Sequence, residues 1–193
     1  QYTLRCGQPQ NGVDVLFEIS DLRSRRRVAR IAGAAYLAFI VTSVLADVVA
    51  HIGLGGTEQI LDAINAGGVA FRLGLTIAYL SALLFLFAAW CLYVLLRGVN
   101  RDLALLFLLL NAVGVAVQCA AMLQLVSALG VIEASGTMPG LGAAEAETMA
   151  RLSIEVYRSG FVLAQLFYGT WLFPLGYLVF TSRFIPRTLG VLL

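Results

Sequence analysis

The sequence predicts an all-α, polytopic bundle of transmembrane helices, with four full spans, the start of a fifth, and the N-terminus in the cytoplasm. Three observations predict it. Apolar residues make up 60% of the chain and charged residues 12%, where a soluble domain carries roughly 25% charge. The apolar residues are gathered into runs long enough to cross ~30 Å of hydrocarbon, which takes about 20 residues per helix. The arginines fall on alternate connections between these runs. Mean hydropathy is +0.89. In 193 residues, four crossings and their loops leave little chain for a soluble catalytic domain.

Residues 1–27 are polar and close on Arg23, Arg25, Arg26 and Arg27. Within them Val13 to Leu22 has the pattern of a short amphipathic helix on the membrane surface. Span 1 covers about 28–50. Residues 51–70 form a Gly-rich loop with Glu58 and Asp62, and span 2 covers about 71–96. Arg97-Gly98-Val99-Asn100-Arg101 makes a tight helical hairpin, Gly98 ending one helix and Asn100 capping the next. Span 3 covers about 103–129, followed by a loop at 130–142.

A helix restarts near Ala143, with Glu147, Arg151 and Glu155 at i,i+4 steps forming an ion-pair ladder, and runs on into span 4 at about 160–180. Thr181 to Arg187 is a basic turn, Pro186 suits a first helical turn, and 188–193 begins another span. The domain division is therefore a polar segment at 1–27 and a transmembrane domain at 28–193. The first apolar run is too long for a signal-peptide core and is read as a retained span.

Every basic residue is arginine, thirteen in all and no lysine, which reads as codon bias and not as a nucleic-acid footprint. No basic patch alternates with exposed aromatics, so nucleic acid is not an expected partner. Ten of the thirteen arginines fall in the N-terminal stretch through Arg30, the 97–101 turn and the 183–187 turn, which share one side. The opposite side holds Arg72, Arg151 and Arg158 with Glu58, Asp62, Glu133, Glu145, Glu147 and Glu155. Arginine retention places the first side in the cytoplasm.

Asp47 and His51 stand i,i+4 at the outer end of span 1, and Arg72 opens span 2 on that same side. Ionisable groups in a span are costly and mark function by default. Two readings stand: a site for protons or a ligand built from Asp47, His51 and Arg72, or an interfacial pair plus a clasp in which Arg72 meets Asp47, Asp62 or Glu155. A second set is intramembrane. Asn111, Gly114 and Gln118 share one stripe of span 3; Gln165, Tyr168 and Gly169 share one of span 4; Gly74, Ala78 and Ala82 give span 2 an edge of small residues. Such stripes serve helix contact, with amides bonding across it, or line a polar cavity between spans 3 and 4. Pro174 kinks span 4.

No catalytic residue is assigned. One histidine excludes a bis-histidine haem, Cys6, Cys91 and Cys119 show no paired spacing, and no metal, phosphate-loop or nucleophile motif is present. No cofactor or metal is expected. No internal repeat or pair of matching broken helices points to a secondary transporter.

The run Gly169–Phe180 (GTWLFPLGYLVF) followed by Ser182–Leu192 (SRFIPRTLGVL) resembles the signature of bacterial membrane proteins grouped as the domain of unknown function 4386 family. Ala29–Gly33 with Tyr36-Leu37, Phe71–Gly74 and Tyr93–Arg101 fit the same pattern, so the resemblance covers about 28–193. It implies a multi-spanning protein of a bacterial cytoplasmic membrane with no assigned activity, and it carries no catalytic residue to any position. Family members usually continue into a complete further span. Three functions remain open: a non-enzymatic accessory, sensor or binding module for membrane lipid, a second copy or another membrane protein; a small-solute or proton-linked transporter; and an intramembrane enzyme with an outer-face Asp47/His51 site.

Overall fold

The structure is a computed structural model that describes residues 12–66, 68–135, 140 and 142–181, with side chains from Arg26 onward. Six helices follow one another: α1 Gly12–Ala50, α2 Thr57–Ala66, α3 Gly68–Leu96, α4 Arg101–Ser135, α5 Ala143–Thr170 and α6 Leu172–Thr181. The described residues are helical or in turns, with no strand. Four stretches are long and apolar enough to cross a membrane: Arg26–Ala50, Gly68–Leu96, Arg101–Ser135 and Ala143–Thr181. The shortest has 25 residues, about 37 Å at 1.5 Å per residue. The fold is therefore the expected bundle of apolar helices, with four spans. The expected fifth span at 188–193 and the basic turn after Thr181 lie outside the described residues.

Helix ends follow local chemistry. Asn100 caps α4, its Oδ1 accepting the N–H groups of Asp102 and Leu103 at 3.1 Å each, as the hairpin reading requires. Gly98 takes no left-handed conformation; the turn closes through Val99 N–H donating to Leu96 O at 2.9 Å. At the far end of α1, His51 is left-handed at φ 53° while its N–H still donates to Asp47 O at 2.8 Å. The chain then folds back so tightly that a Cβ on Gly55 would stand 2.4 Å from the His51 carbonyl oxygen. Only glycine fits there.

Three expected boundaries move. Residues 13–22 are helical, but as the leading turns of α1 and not as a separate helix. The Gly-rich 51–70 loop contains α2, which buries Ile60, Leu61 and Ile64 on one face. Gly56 opens it, with Gln59 Oε1 accepting the Gly56 N–H at 2.9 Å, half of a capping box. Span 3 continues to Ser135, six residues into the expected 130–142 loop.

α5 and α6 form one broken span. Trp171 N–H still bonds Phe167 O at 3.1 Å, and Leu175 N–H bonds Trp171 O at 3.3 Å. Pro174 has no N–H for the Thr170 carbonyl between them, and the helix breaks at Trp171 as the proline predicts.

The spans pack as two hairpins, α1 on α3 and α4 on α5, which meet chiefly through α3 and α4. Small residues set both hairpin contacts. A Cβ on Gly74 would come within 2.4 Å of Ala50 Cβ, and one on Gly160 within 2.7 Å of Ala121 Cβ. Gly74, Ala78 and Ala82 are all buried, so the small edge of span 2 is a packing edge. α6 adds a second apolar cluster, in which Leu175, Leu178 and Val179 pack with Ala89, Leu96, Ala104 and Phe107. Most of the exposed large side chains are aliphatic, as a face toward hydrocarbon requires.

Candidate functional site

Asp47, His51 and Arg72 are not assembled as one site. Asp47 Oδ1 accepts the Leu54 N–H at 3.1 Å and so closes the turn that follows its own helix. His51 stands past the last helical residue in the left-handed region, which ends the shared i,i+4 face expected for the pair. Arg72 pairs with Glu133 at 2.6 Å, and with none of Asp47, Asp62 and Glu155. That ion pair is well exposed, at 60% and 46%, and joins the start of α3 to the end of α4. Glu133 emerges as a partner only because α4 runs on past residue 129.

The predicted ladder on α5 becomes a clasp for α2. Arg151 bonds Glu147 at 2.8 Å within the helix and also takes Glu58 from α2. Glu155 accepts the Thr57 hydroxyl, and Arg158 Nη1 donates to that hydroxyl oxygen at 3.1 Å. The Arg151 guanidinium holds the Glu58 carboxyl below the usual carboxylate range, first by its hydrogen bond and then by its charge. These groups are exposed, and they orient α2 across the ends of the spans.

The intramembrane amides are brought together in part. Tyr168 hydroxyl donates to Gln118 Oε1 at 2.7 Å, and Gly114 lies directly under the Tyr168 ring, where a Cβ would meet Cε1 at 2.9 Å. The stripes of spans 3 and 4 thus face one another at Gly114, Gln118 and Tyr168. Gly169 has open space around it. Asn111, fully buried, has no partner among the described residues for either amide atom.

A cavity of about 280 Å³ opens beside the Gln118–Tyr168 pair. Its floor is Ala78, Ser81, Ala82 and Phe85 of α3 with Gln118 of α4. One wall is Tyr36, Phe39, Ser43 and Ala46 of α1, and the other is Phe161, Gln165 and Tyr168 of α5 with Trp171. α1 packs on α3 and α5 packs on α4, so the groove is the gap these two outer helices leave. Asn111 does not line it.

Phe85 is the hub of the groove's aromatics. Its ring lies 4.7 Å from Phe39, 5.3 Å and edge-on from Tyr168, and 6.0 Å and edge-on from Trp171. These are preferred geometries for aromatic pairs. Among the described residues the side chains lining the groove are uncharged: serines, glutamines, aromatics and aliphatics. Ser43, Ser81 and Phe85 were not singled out in the sequence; the spacing of Ser81 with Ala78 and Ala82 on the buried edge of α3 is the signal that marks it.

Among the described residues no three His, Cys, Asp or Glu side chains converge as metal ligands. No curated protein and no solved structure matches the chain. The family comparison does match, over residues 31–193, which takes in all four spans from Ile31 onward. The chain belongs to the family described as Domain of unknown function (DUF4386).

Proposed function

We propose that this is a non-enzymatic binding protein of the bacterial cytoplasmic membrane that holds an uncharged, membrane-dissolved molecule between its first and fourth spans. The observation that carries the reading is the groove itself: about 280 Å³, walled by α1 and α5, with hydrogen-bonding groups at its floor. Concave apolar sites with a few polar groups are the usual form of small-molecule sites, at roughly 300–1,000 Å³. Two features favour binding over transport or catalysis. The second apolar cluster, with Phe107 and Leu178 fully buried, fills the bundle toward its arginine-rich end. Arg72 is engaged by Glu133 and Asp47 by Leu54 N–H, which leaves the outer face without the combined site an enzyme would use.

The arginine asymmetry supports an N-terminus in the cytoplasm, and the family resemblance supports a bacterial membrane. A second copy of the chain or another membrane protein is a further candidate partner, acting through the exposed faces.

Native mass spectrometry of the full chain released from lipid nanodiscs tests the reading. A small adduct is expected that survives mild activation. Ala82→Phe, which places a ring in the groove floor, removes it. An Ala82→Phe spectrum identical to the parent's, or a parent without adduct, refutes the proposal.

A further inference from the structure

Resting on the binding reading above, we infer that the ligand is a neutral, flat, carbonyl-bearing head on an apolar tail: a molecule of the prenylquinone class. Three properties of the groove select it.

The first is charge. Among the described residues no lining side chain is cationic, and a phosphate buried in hydrocarbon without arginine or lysine would carry an uncompensated charge. Phospholipid headgroups are therefore poor occupants.

The second is the sense of the hydrogen bonds. Tyr168 donates to Gln118 Oε1 at 2.7 Å, which engages the carbonyl end of that amide and turns its NH₂ into the free end. Trp171, which lines the groove, has its indole N–H buried without an acceptor among the described residues, while Gln165 and Ser43 add groups that can donate or accept. The groove thus supplies donors and calls for a ligand with acceptors. A pure hydrocarbon chain would leave the buried Trp171 N–H unsatisfied, which costs about 1–3 kcal/mol, and would offer nothing to the Gln118 amide; a carbonyl serves both.

The third is shape. Phe39, Phe85, Tyr168 and Trp171 set flat faces and ring edges against the floor, within 4.7 to 6.0 Å of Phe85. A planar conjugated ring packs against such surfaces better than a branched glycerol ester. A cavity of about 280 Å³ takes a ring-sized head and a short length of tail. The remaining tail runs out between α1 and α5 into the bilayer.

Trp171 provides the readout, because quinones quench indole fluorescence. The chain has two tryptophans, and Trp90 is exposed on the outside of α3 at 52%. Trp90→Phe therefore leaves Trp171 as the sole reporter. The probe is decylubiquinone titrated into nanodiscs holding the full-length Trp90→Phe protein.

Saturable quenching is expected, with a midpoint about tenfold weaker in Gln118→Leu, as the loss of one buried hydrogen bond implies. Gln165→Leu, at an exposed position that leaves packing intact, gives a second and independent weakening. Added phosphatidylglycerol leaves the midpoint unchanged. Quenching that rises linearly with quinone, as for an indole dissolved in empty discs, overturns the inference. So does competition by phosphatidylglycerol, or a dimer that forms without quinone and blocks quenching. The two levels separate by mass: a phospholipid adduct keeps the binding reading and removes the quinone, while an empty groove removes both.

Discussion

Asn111 offers the sharpest single test of the packing. It is fully buried in α4, and neither its Oδ1 nor its Nδ2 has a partner among the described residues. An unpartnered buried amide costs about 1–3 kcal/mol on mutational scales. Leucine has the same branched arrangement of four side-chain heavy atoms and no polar atom, so Asn111→Leu removes the penalty at the cost of fitting two larger methyl groups. A gain of about 2 kcal/mol is expected, or about 4–8 °C in midpoint for a chain of this size. Cys91 is buried and Cys119 half-buried, and both are free, so a thiol-reactive dye reports their exposure on heating in detergent. Asn111→Ala is the control, because it removes the amide but leaves a cavity; it should fall below Asn111→Leu by roughly 2–3 kcal/mol. A midpoint for Asn111→Leu lower than the parent's refutes the reasoning, since it means that the amide has a partner whose loss outweighs the desolvation relieved.

Three further outcomes follow from the geometry. Gly160→Leu drives a side chain into Ala121 and should destabilise by about 1–3 kcal/mol, whereas Gly169→Leu, with nothing within 4 Å, should sit near the parent in the same thermal assay. His51→Gly relieves a left-handed residue at φ 53° and should stabilise by about 1 kcal/mol; a fall in midpoint would give the histidine side chain a structural role. Glu58 titrates below its ordinary value of 4.5 because Arg151 holds its charged form. A carboxylate depressed in the folded state contributes stability above its unfolded pKa and loses it as pH falls through the folded value. The protection of Ile60 and Leu61 amides, taken against the intrinsic exchange rate at each pH, should therefore fall below pH ~4.5, and Glu58→Gln should be less protected at neutral pH and lose that acid step.

The spans were legible because hydrocarbon thickness imposes a length on each apolar run, and the hairpin at Asn100 because capping is local chemistry. α2 was hidden by its glycine neighbours: its three buried residues, Ile60, Leu61 and Ile64, make a stripe too short to stand out from a loop. The partner of Arg72 was not legible. Choosing between Asp47, Asp62, Glu155 and Glu133 depends on how far each helix is rotated, and no sequence period sets that angle. The polar stripes show the same limit. Gln118 and Asn111 lie on one face of α4, yet the first meets Tyr168 at the groove and the second is sealed without a partner. The groove itself arises because α1 and α5 barely touch, each packing on a different inner helix, and a gap has no residue pattern of its own.

The two-hairpin packing also has a consequence for biogenesis. Its dominant contacts join spans that are neighbours in the chain, α1 with α3 and α4 with α5. Each pair is complete as soon as its second helix leaves the insertion machinery, and the first is finished before α5 has been synthesised. The groove has no counterpart in either half; it comes into being when the second hairpin settles beside the first. A molecule lodged there then acts as mortar for that last joint, because whatever binds only the docked arrangement shifts the assembly equilibrium toward it. On this view the abundance of the assembled protein should follow the supply of its ligand in the bilayer.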